Sequence, residues 1–499
     1  MSRAVPLLSG SRVVTVPLGD DDVVLRPPRP PAHVVDVPAA VRDALAYPLS
    51  GAPLADRVRP GARVTVVVPP PALPLPGAEM DPRAVALATV LDELADLGVG
   101  DERVTLLVAG GLMRRAGRRE LERLLPPPEA RAFRGNVVVH DARADDLVRI
   151  GHEGVAVNRA VTDAELVLVV SSAETVVDGG PGALVAACDA GTARSAATAR
   201  SLVQAAGEPA WELALGVEEA VAAEVGLLGV SLVLDHPRLV GRFRDYPHEP
   251  ASLDHVLRSP FRRLHALLPG GVRRRTLGDL ARSLAATAVY AGAPSVAHAE
   301  ALVRTIDLRS IRLAEPLDAI VVGVPWIGPH LPREPLNPIT SAATALGLAL
   351  RSWRDAFPLR SDGTVVLVHS LTRSFAHVAH EPYRALFDAL RAGGDAVLDA
   401  EQTAAQDVRA LRAYGEGRAC HPLLPFADWA GCRSVLDRCG RVIVAGSRDA
   451  VAARALGFVP SHSIASALEM AHGVAGGRAR IGVLLAPPYA PLIVGGSSS

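Results

Sequence analysis

The residues best suited to chemistry stand where short apolar runs stop. Residues 167–194 read VLVVSSAETVVDGGPGALVAACDAGTAR: a buried strand, a glycine-rich turn and an Ala-rich helix. In that turn Asp178, Gly179, Gly180 and Gly182 would offer backbone N–H groups to an anion at a helix start. DGGPG is equally the composition of an ordinary turn, and the Asp178 carboxylate repels a phosphate. Gly110 and Gly111 follow another apolar run, with Arg114 close behind, and His140-Asp141 ends a third. A histidine beside a carboxylate can hold or move a proton, although at a strand end it can also simply cap backbone; an arginine can clasp a carboxylate. Glu174 and, in the second half, His330, Arg333, Asn337, His369, Arg373, His377 and His380 are candidates to complete such a site. His377 and His380 would share a face if helical, as metal ligands do, but no third ligand accompanies them and no metal site is assigned.

What is missing is as informative. The chain contains no lysine, so all 52 basic residues are arginine. Codon bias accounts for much of this, yet the chemical consequence holds: no Schiff base, phosphate-loop amine or lysine tether can form. Ser447 and the four cysteines, Cys188, Cys420, Cys432 and Cys439, show no signature of an activated nucleophile, and the cysteines lack C-x-x-C spacing. A reducing cytoplasm is expected.

Charge and hydropathy exclude other classes. The net charge of -1 argues against nucleic acid or an anionic membrane as partner, and the apolar runs are too short to span a bilayer. A small molecule is the expected ligand; oligomeric state is left open.

The elements that must position these groups follow a strand–loop–helix rhythm. Strands are expected at 63–68, 104–108, 136–140, 166–170 and 230–235, with helices at 38–47, 82–97, 183–206 and 211–225. A hairpin is expected from 12–16 and 23–26, a connector at 237–269 and a helix at 277–292. The second half repeats the rhythm, with strands at 319–324, 364–369, 397–398 and 441–445 and helices near 341–353, 383–392, 451 and 464. The expected fold class is α/β, with two α/β domains of mainly parallel sheets and a cleft between them. The expected boundaries are 1–270, a hinge helix at 271–295, a second domain at 296–493 and a disordered tail at 494–499. Ligands in such sheets sit beyond the carboxyl ends of the strands, here 69–76, 110–115, 140–143 and 171–182.

The segments VPLGDDDVVLRPP, PLADRVRPGARVTVVV, VTLLVAGGLMRRAGRRELERLL, VVVHDARADDLVRIG and VAVNRAVTDAELVLVVSS, with the glycine turn, resemble the nickel-dependent lactate racemase family in order and separation. The resemblance covers residues 12–240 well and the second half loosely, through LPREPLNPITSAATAL and HEPYRALFDAL. It implies a two-domain racemase of 2-hydroxy acids whose nickel pincer nucleotide accepts and returns a hydride while two histidines exchange the hydroxyl proton.

Carried over by position, the resemblance implies Gly110, Gly111, Asp178, Gly179, Gly180 and Gly182 at the cofactor, and Asn158, Arg333, Asn337 and His380 along the cleft. Arg114, His140 and Asp141 match the family, but the working groups depart from it. Its Asp-Asp-x-Thr-Arg-Pro loop is Pro69-Pro70-Pro71-Ala72-Leu73-Pro74, and Met113 replaces a catalytic histidine. The second catalytic histidine has no counterpart at 174–177, and Gly182 stands where the tethering lysine is expected. Three functions are compatible: a silent binding or partner subunit, an enzyme running another reaction on a small carboxylate or hydroxy acid through His140, Asp141, Arg114, Asp178 and Glu174, and racemisation with an untethered cofactor.

Overall fold

The computed structural model describes all residues except 1–3, 32, 71–80, 152–153, 237, 240–243, 245, 274–281, 326–335, 376, 476–478, 486–488 and 496–499. Two six-stranded sheets organise it. In the first, the strand order is Ala286–Gly292, Gly226–Leu234, Leu166–Ser172, Val64–Val68, Val104–Val108 and Asn136–Val139. All are parallel except the Ala286–Gly292 strand, which runs antiparallel to Gly226–Leu234. Its central strands are continuous runs of Val and Leu because both faces are covered. Val64, Val66, Leu166 and Leu168 pack towards the helices Val37–Ala46 and Pro82–Asp96, while Val67, Val167 and Val169 pack towards Pro181–Val185 and Pro209–Glu224.

The second sheet is wholly parallel, in the order Val459–Ser461, Arg441–Ala445, Leu359–Val368, Leu317–Gly323, Ile481–Leu484 and Val23–Leu25. Many helices start with proline in the first turn, where the missing N–H costs nothing: Val37–Ala46, Pro82–Asp96, Pro209–Glu224, Pro294–Arg309 and Glu381–Ala392.

Both sheets have a topological switch. In the first, the chain steps outward from Val64–Val68 and then returns to lay Leu166–Ser172 on the other side. In the second, it steps outward from Leu317–Gly323 and returns at Ile481–Leu484. Loops leaving neighbouring strands part at such a point and open a crevice.

Several expectations are corrected. Arg12–Pro17 pairs with Ala4–Ser9, whereas Val23–Leu25 joins the second sheet beside Ile481–Leu484. The expected hinge helix at 277–292 is a strand over Ala286–Gly292, because Val289 and Tyr290 complete the edge of the first sheet against Leu232 and Ser231. The preceding residues 274–281 lie outside the described residues. The expected strand at 397–398 belongs to the helix Ala396–Gln406, and 183–206 breaks into the short helices Pro181–Val185 and Ala190–Ser195 and the 3-10 turn Ala196–Thr198. Asp189 accepts from the Gly191 and Thr192 N–H groups and so restarts the helix there. No helix among the described residues is long and apolar enough to cross a membrane.

Candidate functional site

A cavity of about 390 Å³ lies at the switch points. From the first sheet it is lined by Pro69 and Pro70, by 109–113, and by Ser172, Glu174, Thr175, Val177, Asp178, Gly179 and Gly182. From the second half come Thr340, Thr344 and Arg351, then His380 and Asp428, and Tyr489 and Pro491 beyond the returning strand. Three of the four expected strand ends therefore reach it.

The fourth does not. His140 is buried away from the cavity, its Nε2 at 2.8 Å from the Cys188 carbonyl oxygen. Since that oxygen can only accept, Nε2 carries the proton and Nδ1 accepts from Asn158 Nδ2 at 3.2 Å. Burial pulls the His140 pKa down to about 4. Asp141 is turned to Arg115 and the Arg143 N–H. Arg114 is clasped by both Glu120 carboxylate oxygens at 2.6 Å. The structure therefore does not bring His140, Asp141 and Arg114 to this cavity, and each is held by partners of its own. Asn158 caps the turn Arg159–Thr162 and holds His140 and does not reach the cavity.

The glycine turn has closed on itself. Gly180 N–H donates to Ser171 Oγ, Gly182 N–H to the Gly179 carbonyl, Ala183 N–H to the Gly180 carbonyl and Asp178 N–H to Thr175 Oγ1. Of the four N–H groups expected to cradle an anion, those of Asp178, Gly180 and Gly182 are thereby engaged within the turn and its neighbours. Packing explains the glycines: a Cβ on Gly180 would come within 2.4 Å of His298 Cβ, and one on Gly182 within 2.4 Å of the Val177 carbonyl oxygen. Asp178, Gly179 and Gly182 still border the cavity, as do Gly110 and Gly111, whereas Gly180 does not.

In the second half, His330 and Arg333 lie outside the described residues, as do 71–76 of the proline loop. Asn337 Oδ1 caps the helix Pro338–Ala342 through the Ile339 and Thr340 N–H groups and does not border the cavity. His380 does border it. His377 accepts from the Ala379 N–H, Arg373 pairs with Asp449, and His369 accepts from the Leu371 N–H; none of these three reaches the cavity. Among the described residues no group of three His, Cys, Asp or Glu could hold a metal ion.

Among the described residues three arginines border the cavity, in different states. Arg83 is paired with Asp81. Arg309 is nearly enclosed, bound to Glu174 at 2.6 Å and to the Leu234 and Asp235 carbonyl oxygens at 2.9 and 3.0 Å. Arg309→Met would strand the Glu174 carboxylate and is expected to lower stability by about 2 kcal/mol, read as a lower urea midpoint; an unchanged midpoint would show the pair to be neutral. Arg351 is the exception, with no carboxylate within 4.0 Å among the described residues. It was not singled out from sequence, although one charge inside the apolar run ALGLALRSW is the signal that could have found it. Arg309, Asp428, Thr305 and Tyr489 carried no such signal.

Residues 10–175, which supply the first-sheet loops of this cavity up to Thr175, match the family described as the lactate racemase N-terminal domain. This stretch is similar to the lactate racemase N-terminal domain. Across its whole length the chain has the fold of the lactate racemase apoprotein from Thermoanaerobacterium thermosaccharolyticum, with a TM-score of 0.61 at 14% identity, covering 98% of this chain and 100% of that one. A protein from Thermotoga maritima superposes with a TM-score of 0.51 at 12% identity over 93% of this chain and 100% of that one. No curated protein matches. The chain is lactate racemase-like in its N-terminal domain and in its fold.

The residues of this chain do not fit a lysine-tethered nickel pincer nucleotide. Any side chain at Gly182 would collide with the Val177 backbone, not with a movable side-chain tip. Met113, where a histidine is expected, borders the cavity, and Pro69 and Pro70 bring no charge to the end of Val64–Val68.

Proposed function

We propose that this protein is a lactate racemase-like binding protein that takes a small ligand in the cavity between its two sheets and does not perform lysine-tethered nickel-pincer racemisation. The observation that carries this reading is the 2.4 Å approach of a Gly182 Cβ to the Val177 carbonyl oxygen, in a chain without lysine. Loss of the tether is thereby built into the packing of the turn. The reading in which the same scaffold runs another reaction is the weaker one, since of its groups His140, Asp141 and Arg114 do not border the cavity and among the described residues only Asp178, Glu174 and His380 do. Four free thiols, three of them buried, agree with a cytoplasmic setting.

Co-expression with pincer-synthesis enzymes tests the proposal. Purified protein is expected to carry substoichiometric nickel and to leave the stereochemistry of L-lactate unchanged. Stoichiometric nickel together with racemisation would overturn it.

A further inference from the structure

A second concentration of positive charge stands at the carboxyl ends of the second sheet, outside the cavity. The strands Leu359–Val368 and Arg441–Ala445 are parallel neighbours, so their loops leave the sheet side by side. Arg448, in the second of these loops, donates its N–H to the Ser370 carbonyl oxygen of the first at 2.8 Å. The turn between Ala4–Ser9 and Arg12–Pro17 lies over them: Gly10 N–H donates to the Val324 carbonyl oxygen at 2.6 Å, and a Cβ on Gly10 would stand 3.8 Å from His369 Nε2. That contact carries Arg12 towards Arg448. Arg273 arrives from a third direction, beyond the helix Pro260–Leu267, with Nε donating to Ser11 Oγ at 3.4 Å and Nη1 to the Leu268 carbonyl oxygen at 2.5 Å. Three segments far apart in sequence thus deliver guanidinium groups to one place.

Little opposes their charge. Among the described residues no carboxylate forms an ion pair with Arg12, Arg273 or Arg448. Asp449, beside Arg448, is taken by Arg373 at 2.7 Å and by the Ala452 N–H at 3.0 Å. Desolvation and then the nearby charges of Arg273 and Arg448 pull the Arg12 pKa below its ordinary value, the mark of like charges held close. Such charges repel one another, and an anion between them relieves the repulsion. Three cations facing one engaged carboxylate suit two negative charges spread over several oxygens, which is what a phosphate monoester presents. The position agrees, since ligands of parallel sheets sit beyond the carboxyl ends of the strands. None of these residues borders the cavity.

We propose that Arg12, Arg273 and Arg448 form a second ligand site, which binds the phosphate group of a small soluble phosphate monoester. The site does not depend on what occupies the cavity.

Calorimetric titration of the full chain with glycerol 3-phosphate and inorganic phosphate, and with nitrate for contrast, tests it. Both phosphates are expected to bind saturably, and nitrate, with a single charge, about tenfold or more weakly. Arg12 and Arg448 are exposed, so Arg12→Gln and Arg448→Gln should keep the wild-type melting temperature while each weakens the phosphates by about tenfold. Arg441→Gln removes the same charge at the opposite end of the strand that leads to Arg448 and should leave the affinity unchanged. Binding of neither phosphate, wild-type affinity in Arg12→Gln and Arg448→Gln, equal weakening by Arg441→Gln, or nitrate as tight as phosphate would overturn the proposal. So would sedimentation with phosphatidylglycerol vesicles by a protein that does not bind glycerol 3-phosphate, because the arginines would then serve a lipid surface.

Discussion

Replacing Gly182 by lysine, alone or with Met113→His, is expected to destabilise the fold by about 3 kcal/mol or more and to gain no nickel. The added Cβ would lie 2.4 Å from the Val177 carbonyl oxygen, 2.8 Å from its carbonyl carbon and 3.5 Å from its Cα. All three are backbone atoms, so no rotamer change relieves the contact. The turn cannot simply move away, because Gly182 N–H is bonded to the Gly179 carbonyl and Gly180 is pressed against His298. Gly216→Ala serves as the opposite case. It lies in the helix Pro209–Glu224 with open space around its missing Cβ, and alanine there should stabilise by about 0.5–1 kcal/mol. Urea unfolding of both variants checks the contrast. A Gly182→Lys protein with wild-type midpoint would remove the steric argument and, with it, the support for the proposed function.

Acid is expected to unfold the protein well above the range in which carboxylates titrate. Burial draws the pKa of His140, His298, His369 and His421 down to about 4. In the unfolded chain each returns to the ordinary value of about 6.5. Between those values the unfolded state binds more protons, so stability rises with pH. The contribution is complete above the unfolded value and is lost as pH falls towards the folded one. At roughly pH 5 the loss is about 2 kcal/mol per imidazole, and about 8 kcal/mol for the four together, against a typical total stability of about 5–15 kcal/mol. The urea midpoint should therefore fall steeply below about pH 6.5. A flat midpoint down to pH 5 would show that these rings are solvated in the folded protein.

The alternating rhythm and most strands were legible because parallel strands covered on both faces are continuous apolar runs, as at Val64–Val68 and Leu166–Ser172. Errors fell where partners are distant in sequence. Nothing local in Val23–Leu25 tells that it pairs with Ile481–Leu484. Ala286–Gly292 has helix-forming alanines, yet it is recruited as an edge strand. The candidate site divides in the same way. Strand ends and glycines were visible, and they do border the cavity at Gly110, Gly111, Asp178, Gly179 and Gly182. That His140 and Arg114 do not reach this cavity was not legible, because where a side chain lies depends on what holds it, here Cys188 and Glu120.

The sequence by itself determined that no lysine tether can exist, that Met113 and the proline loop replace groups of acid–base and charged character, and that ligands belong at the strand ends. Those are statements about which atoms are present. Tertiary structure alone decided that Gly182 has no room for a side chain, that the Gly180 and Gly182 N–H groups are spent on Ser171 Oγ and the Gly179 carbonyl, and that Arg351 shares a cavity with Thr305 and Tyr489. Close approach and unsatisfied hydrogen bonding are properties of pairs of groups, and here the pairs are brought together only by the meeting of the two sheets.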